Sequence, residues 1–412
     1  MTDQTIIHTF AIHSCPAGWR DWFFLTFETS SGTQGTSEFT ESNGPKTGLL
    51  TTVHEAASQV IGCDPRDVEN ITKALRRQFQ QSLGGTTWKA IAAVENALWD
   101  LRSKLEGVTI SHLIDGKSNS ATNSIPVYWS HCGTSRIRAS ELIGRPPILS
   151  ISDLQKIGEE VVSEKFSAFK TNIFDFMKSP KVLMPGFSPE VFAPELVGKD
   201  KHFLIEDALD AFTQNGTQPI QPIVDLNYNV EPSSYKDLIS RIQRFEPKWI
   251  EIDFRSQFDL KNLPMTSEVP ICTGENLLGL DAYEPYLRSR KISIISIDLL
   301  WNGLSESVLI ARRALAMGKK VTVHNYYSHF ATSMALTFAE LLSDNELLEF
   351  DYDDVPWREN IVTKNHRAQE GQIQFQSSLG WGNEIKECVI GGLTSERVES
   401  YRALVNSLTG FL

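Results

Sequence analysis

Short apolar runs, each predicted to be a strand, fall near residues 126–130, 167–172, 221–225, 248–252, 269–273, 293–297, 320–323 and 346–350. Between them the apolar positions change to the three-to-four spacing of helices, for example over 151–165 and 304–317. Eight strands alternating with helices predict parallel crossovers and hence a (β/α)-barrel, whose C-terminal strand ends carry the chemistry. Upstream the period differs. Residues 5–13 and 21–29 alternate like antiparallel strands, and the Ser-Ser-Gly-Thr-Gln-Gly stretch after them turns into a further strand. From about 49 to 107 the pattern is helical: Ile91, Val94, Leu98, Leu101 and Leu105 keep one face, and Gly107 stops the helix. At that spacing Trp88 and Trp99 read as core.

The polar, Gly/Ser-rich stretch from Ile114 onward places a domain boundary near residue 124. The expected class is therefore α/β, with an α+β domain over 1–124 and a barrel over 125–384. A C-terminal segment over 385–412 is expected to return to the first domain. Residues 174–202 are too long and Pro-rich for the start of a plain crossover, so a lid, an oligomer contact or mere decoration is expected there.

Composition narrows the partners. A chain of 412 residues with 41% hydrophobic and 22% charged residues is an ordinary globular protein, long enough for two domains. Its net charge of −12, without a basic patch interleaved with aromatics, argues against nucleic-acid binding. Cysteines 15, 63, 132, 272 and 388 are scattered and odd in number, which predicts a reducing, cytoplasmic setting with neither a disulfide framework nor a zinc site. The N-terminus reads as no signal peptide, and no apolar run approaches the roughly 18 residues of a membrane span.

The strand ends supply the chemistry. Asp225, Glu251, Glu275, Asp298 and His324 each close an apolar run, and follow one another at 26, 24, 23 and 26 residues. One strand–helix–loop unit has about that length, so these ends lie side by side in a barrel. A single strand-end acid ordinarily caps the following helix. Three in series place carboxylates around one point and need a hard cation, for which Mg²⁺ is the best match. Asp298 is placed to hold the tautomer of His324, and an Asp–His pair facing a metal is equipment for removing a weakly acidic proton.

This ordered set resembles the enolase superfamily, in its mandelate racemase-like branch. Val-Asp225-Leu-Asn227, Trp-Ile-Glu251 and Thr-Gly-Glu275-Asn-Leu-Leu-Gly are similar to that family's three metal-binding strand ends, and Asp298 with His324 to its general-base dyad. Glu349 resembles the acid that contacts the developing enolate. Residues 90–101 are similar to the signature helix, and 378–384 to the closing Gly-X-Gly segment. The resemblance covers nearly the whole chain. It implies a modified TIM barrel capped by the N-terminal domain, with Phe39, Glu41 and Asn43 closing over the pocket, and a homo-oligomer. The chain departs from the pattern twice. Lys170 matches the first lysine of a Lys-X-Lys motif, but Asn172 replaces the second, which would be the opposing base. The usual Ile-Glu-Glu-Pro is altered to Ile250-Glu251-Ile252-Asp253.

Asparagine accepts no proton at neutral pH, so one-base chemistry on the His324 face is expected. The expected function is Mg²⁺-dependent dehydration of a sugar acid, an aldonate or aldarate, to a 2-keto-3-deoxy acid. In that reading His324 and Asp298 remove the α proton, Lys170 binds the small-molecule carboxylate, and Glu349, if protonated, donates to the enediolate. Asn172, His131, Asn227 and Tyr228 are the candidate substrate contacts, with Asn229 beside them; His131 is a hydroxyl ligand, an acid or a structural residue. His329 reads as structural, and Asp351, Asp353 and Asp354 as a solvated acidic loop. The alternatives are a racemase or epimerase, and a barrel that binds metal and ligand without turnover.

Overall fold

The computed structural model describes residues 5–41, 44–116, 123–183, 196–214, 220–342 and 346–386. The N-terminal alternation forms an antiparallel sheet of β1 (Ile7–Ala17), β2 (Arg20–Thr29) and β3 (Gln34–Glu38) in that order. Helices Lys46–Ser58, Val68–Gln78 and Gly85–Glu106 follow, and Gly107 ends the last in a left-handed conformation, φ 69°. The barrel begins with β4 (Asn123–Ser130) and β5 (Ala168–Thr171). A hairpin of β6 (Ile173–Asp175) and β7 (Lys181–Leu183) comes next. Then come β8 (Gln221–Asp225), β9 (Trp249–Glu251), β10 (Ile271–Thr273), β11 (Ile294–Asp298), β12 (Lys320–His324) and β13 (Leu348–Asp351). Finally β14 (Gln372–Phe375) lies antiparallel to β4.

The parallel strands run in the order β12-β11-β10-β9-β8-β5-β4-β13. Glu346 N–H donates to Val321 O at 2.7 Å and Thr322 Oγ1 to Leu347 O at 2.7 Å, which brings β13 against β12 and nearly closes the barrel. All eight expected strands are present, as are the helices Asp153–Ser163 and Leu304–Ala316. The segment expected to be a lid or contact contains the β6–β7 hairpin; its residues 184–195 lie outside the described ones, as do 387–412, most of the expected C-terminal segment, and 117–122 beside the expected boundary.

Two apolar layers build the barrel. Tyr128, Ala168, Ile223, Trp249, Cys272 and Ile294 point inward and form a plug separate from the larger core between strands and helices. Strand side chains alternate sides, so a residue two positions on from a plug residue also faces inward. Lys170, Asp225, Glu251 and Asp298 stand in that relation, two or four residues past Ala168, Ile223, Trp249 and Ile294. The plug is the floor of the site.

The N-terminal domain is clamped to the barrel through the signature helix. Glu95 Oε1 accepts Ser305 N–H at 2.7 Å, Asn96 Oδ1 accepts Leu304 N–H at 3.0 Å, and Asp100 accepts the N–H groups of Thr36 and Trp381, each at 2.8 Å. Gly380 has φ 59°, and a Cβ there would lie 1.9 Å from Asp100, so the closing segment needs glycine at this approach. Trp99 is core, at 2% exposure. Trp88 is not: it is half-buried, packed under Gly279 of the barrel and stacked by Arg76 at 4.5 Å.

Glu38 makes a second clamp. Fully buried on β3, it accepts Ser328 Oγ–H, Ser328 N–H at 3.3 Å and Ala331 N–H at 3.1 Å, and so caps helix His329–Glu340 from another domain. Glu38→Ala leaves those N-terminal donors buried and unmet, and is expected to lower stability by about 3 kcal/mol. Thermal or urea unfolding of the variant reads the loss directly.

Candidate active site

Register brings the strand-end residues together. Asp225 pairs with Glu251 across β8 and β9, and Asp298 with His324 across β11 and β12. Glu275 follows the end of β10 by two residues, after a backbone turn at Gly274 with φ 129°. A Cβ at Gly274 would meet Ser296 O at 2.6 Å, so only glycine allows the strand to turn there.

The Asp298–His324 pair, expected to be the base, is fully wired. Asp298 Oδ2 lies 2.6 Å from His324 Nδ1 and also accepts the Tyr327 hydroxyl, while its Oδ1 accepts Trp301 N–H at 2.8 Å. Asp298 can only accept, so the proton of the neutral imidazole sits on Nδ1 and Nε2 keeps its lone pair. Nε2 lies 3.4 Å from Glu275 Oε2 and 3.7 Å from Glu349 Oε2. Burial pulls the imidazole pKa down, but the charges of Glu349 and Asp298 and the Asp298 hydrogen bond outweigh it and raise the net value.

Lys170 stands on the floor beneath the acids, 3% exposed, with Nζ 2.7 Å from Glu349, 3.6 Å from Glu251 and 3.8 Å from Asp225. Burial opposes its charge, but Glu251 and Glu349 hold its pKa well above the usual lysine range. Glu349 departs from expectation. It accepts from Lys170, from Ser130 Oγ and from Asn325 N–H at 3.0 Å. Burial pushes its carboxyl up, yet Lys170, His324 and His131 pull it far below the usual carboxylate range. It is an anion that holds donors, and has no proton to give to an enolate.

The carboxylates repel one another. Burial and, against the pull of Lys170, the charge of Glu251 push Asp225 up to about 6. Burial, Asp253 and Glu251 push Glu275 well up. Among the described residues no three acid, histidine or cysteine side chains converge into a finished metal cage. The donors nonetheless fit a hard cation. Glu251 Oε2 and Glu275 Oε2 are buried without any hydrogen-bond partner, next to Asp225, and buried acceptors in that condition call for positive charge. Oxygen donors without sulfur or imidazole suit Mg²⁺.

The expected substrate contacts divide. Asn172 is 4% exposed, and its amide is engaged with Asn227 Oδ1 at 3.0 Å, Asp225 Oδ2 at 3.4 Å and Thr134 Oγ1 at 2.8 Å, so it orients Asp225. Asn227 takes φ 45° and its N–H donates to Asp225 Oδ1 at 2.8 Å; its Nδ2 has no partner among the described residues. Tyr228 is partly exposed near Asp253 and Glu275, and burial followed by those charges pushes its hydroxyl pKa up. Asn229 instead holds the hairpin, donating to Leu183 O at 2.7 Å. His131 takes φ 48° just past β4, with Nδ1 2.7 Å from Asp351 Oδ1. His329 begins its helix, 4% exposed, and accepts His366 N–H. Of the expected closing residues, Phe39 and Glu41 are buried and Lys89 donates to Glu41 at 2.7 Å; Asn43 lies outside the described residues.

The acidic loop is not solvated. Asp351 and Asp353 are 1% and 2% exposed, and Asp354 is almost as enclosed. Arg20 meets Asp354 at 2.8 Å and Asp351 at 3.7 Å, while Arg136 meets Asp353 at 2.7 Å. Asp253 was given no role by its sequence, yet it is 5% exposed, and burial with the charge of Asp225 pushes it up to about 7. Both Asp253 and Asp351 sit two residues past an assigned site acid, so strand alternation alone points them inward.

Comparison with known proteins gives the family. A family model described as enolase C-terminal domain-like matches residues 155–389, and one for the mandelate racemase / muconate lactonizing enzyme N-terminal domain matches residues 7–115. A D-galactonate dehydratase of Xanthomonas axonopodis pv. citri (strain 306) is 24% identical over 381 residues, 89% of each chain. A D-mannonate dehydratase of Novosphingobium aromaticivorans is 33% identical over 134 residues, 32% of each chain. Among solved structures, a Burkholderia xenovorans strain LB400 protein, provisionally described as an L-alanine-DL-glutamate epimerase and bound to magnesium and fumarate, superposes with TM-score 0.88. It is 28% identical and matches over 94% of this chain and 96% of its own. No helix among the described residues is long and apolar enough to cross a membrane.

Proposed function

The chain belongs to the mandelate racemase / muconate lactonizing enzyme branch of the enolase superfamily, and on that premise we propose that it is a lyase that dehydrates a sugar acid, an aldonate or aldarate, to a 2-keto-3-deoxy acid. The observation that carries this reading is the imbalance of bases on the two strands that normally oppose each other. On one side His324 presents Nε2, held by Asp298. On the other, Asn172 cannot accept a proton and Lys170 is tied to Glu349. A proton removed and returned on one face leaves the substrate unchanged, so the electron pair must leave by another route, and expelling a β-hydroxyl is the simplest.

In this reading Lys170 draws in the substrate carboxylate and His324 Nε2 takes the α proton. The electron pair is held first as the enediolate of the substrate carboxylate, then forms the carbon–carbon double bond as the β-carbon–oxygen bond breaks, and tautomerisation gives the keto acid with net loss of one water. Asp225, Glu251 and Glu275 would hold Mg²⁺, which supplies positive charge beside the substrate carboxylate. Glu349 keeps Lys170 in place rather than donating. The names of the Xanthomonas and Novosphingobium relatives support the reading. Of the expected setting, we retain the small carboxylate as partner, a homo-oligomer as assembly, and the cytoplasm as compartment.

The second reading is an epimerase, favoured by the description of the Burkholderia neighbour. Purified protein with Mg²⁺, offered a library of C5 and C6 aldonates and aldarates in D₂O, separates the two. Semicarbazide-reactive 2-keto acid from at least one substrate is expected. Inversion at carbon 2 without keto acid would replace dehydration by epimerisation, and binding without either would leave only a ligand-binding barrel.

A further inference from the structure

We propose that His131 is the general acid of this site, delivering from Nε2 the proton that the departing β-hydroxyl needs, with Asp351 as its positioning residue. The inference rests on the dehydration reading above. A hydroxide is too basic to leave a carbon unassisted, so the elimination requires a positioned acid as well as a base. His324 supplies the base, and its Nε2 is hemmed between Glu275 and Glu349.

His131 repeats the wiring of His324 on a different strand. Its Nδ1 faces a buried carboxylate, Asp351 Oδ1, at 2.7 Å, as His324 Nδ1 faces Asp298 at 2.6 Å. Its Nε2 makes no hydrogen bond among the described residues, and the side chain is 12% exposed, so the nitrogen is open to a ligand. The two imidazoles flank one phenol ring: Tyr326 lies 6.0 Å from His131 and 5.0 Å from His324, centre to centre. Asp351 in turn is held by charge from the N-terminal domain, since Arg20 reaches it at 3.7 Å, and Arg358 donates to its backbone oxygen at 2.6 Å. A left-handed backbone at a non-glycine residue is uncommon and collects at functional sites; His131 takes φ 48° here, where an extended residue would continue β4.

The step balances. The α carbon–hydrogen bond breaks to His324 Nε2 and its electron pair is held as the enediolate of the substrate carboxylate. That pair then forms the carbon 2–carbon 3 double bond as the β-carbon–oxygen bond breaks, and the departing oxygen takes a proton from His131 Nε2 and leaves as water. In tautomerisation carbon 3 gains one proton and the carbon 2 hydroxyl loses one, and both imidazoles return to their starting states through solvent.

The test separates proton removal from leaving-group departure. With the aldonate or aldarate that the parent dehydrates, galactonate and mannonate being tried first, His131→Asn should keep α-proton exchange with D₂O within a few fold. Its keto acid formation should fall by about 10²–10⁴-fold. The 3-deoxy-3-fluoro analogue loses fluoride with little need of an acid, so there the variant should come within about tenfold of the parent. Asp351→Asn should show the same selective loss of hydroxide over fluoride, in smaller measure. Equal loss of exchange and of both eliminations would overturn the proposal and make His131 a binding or structural residue. Unchanged keto acid formation would overturn it too. If the parent only inverts carbon 2, the dehydration reading fails by itself, and loss of that inversion in His131→Asn would make His131 an opposing base instead.

Discussion

His324→Asn is expected to lose exchange of the substrate α proton with deuterated solvent, and keto acid formation with it, by about 10²–10⁴-fold. The structure gives two reasons for an effect of that size. Asp298 commits one oxygen to His324 Nδ1 at 2.6 Å, so the imidazole is fixed in tautomer and direction before the substrate arrives. Trp301, Tyr326 and Tyr327 pack around the ring at 5.5, 5.0 and 5.9 Å, centre to centre, which holds its position as well. Asparagine keeps the bulk and one donor to Asp298 but cannot accept the proton, so melting temperature and Mg²⁺ binding should stay near the parent values. Exchange that persisted in the variant would move the base to Lys170, and would reopen the epimerase reading.

The strands were legible because a barrel strand is short, apolar and followed by a helix of distinct period; each of the eight lies within a few residues of its expected place. That Asp225, Glu251 and Asp298 lie side by side at strand ends was legible from the spacing of 23 to 26 residues between successive ends. What was not legible lies across long separations. Asp351, Asp353 and Asp354 read as a solvated run because three acids stand together past a strand end with no basic residue beside them. Their arginine partners are 334 residues away in one case, Arg20 with Asp354, and 217 in another, Arg136 with Asp353. Glu349 could be imagined protonated only while Lys170, Ser130 and the Asn325 N–H were not known to converge on it. Trp88 carried the helical spacing of a core residue, but the face it occupies meets the barrel at Gly279, and a domain contact has the same period as a core. Asp253 was within reach, since strand alternation from Trp249 and Glu251 points it inward.

Glu251→Gln is expected to cost Mg²⁺ affinity about 10²-fold or more, and activity about 10³-fold, while the fold survives. Glu251 ends β9 between Asp225 and the strand that leads to Glu275, so it is the central member of the three acids. Its Oε2 is buried with no hydrogen-bond partner, and Lys170 at 3.6 Å is the nearest opposite charge. Such an oxygen contributes little to the folded chain by itself, because its charge is opposed by Asp225, Asp253 and Glu275. Glutamine keeps the shape and one carbonyl acceptor and removes that repulsion, so the melting temperature without metal should be unchanged or higher. The stabilisation that Mg²⁺ confers on the parent should disappear, because a ligand stabilises only in proportion to its binding. Calorimetric titration and melting with and without Mg²⁺ therefore report the same quantity by two routes. A variant that bound Mg²⁺ as tightly as the parent would remove Glu251 from the ligand set, and with it the argument that the three strand-end acids form one site.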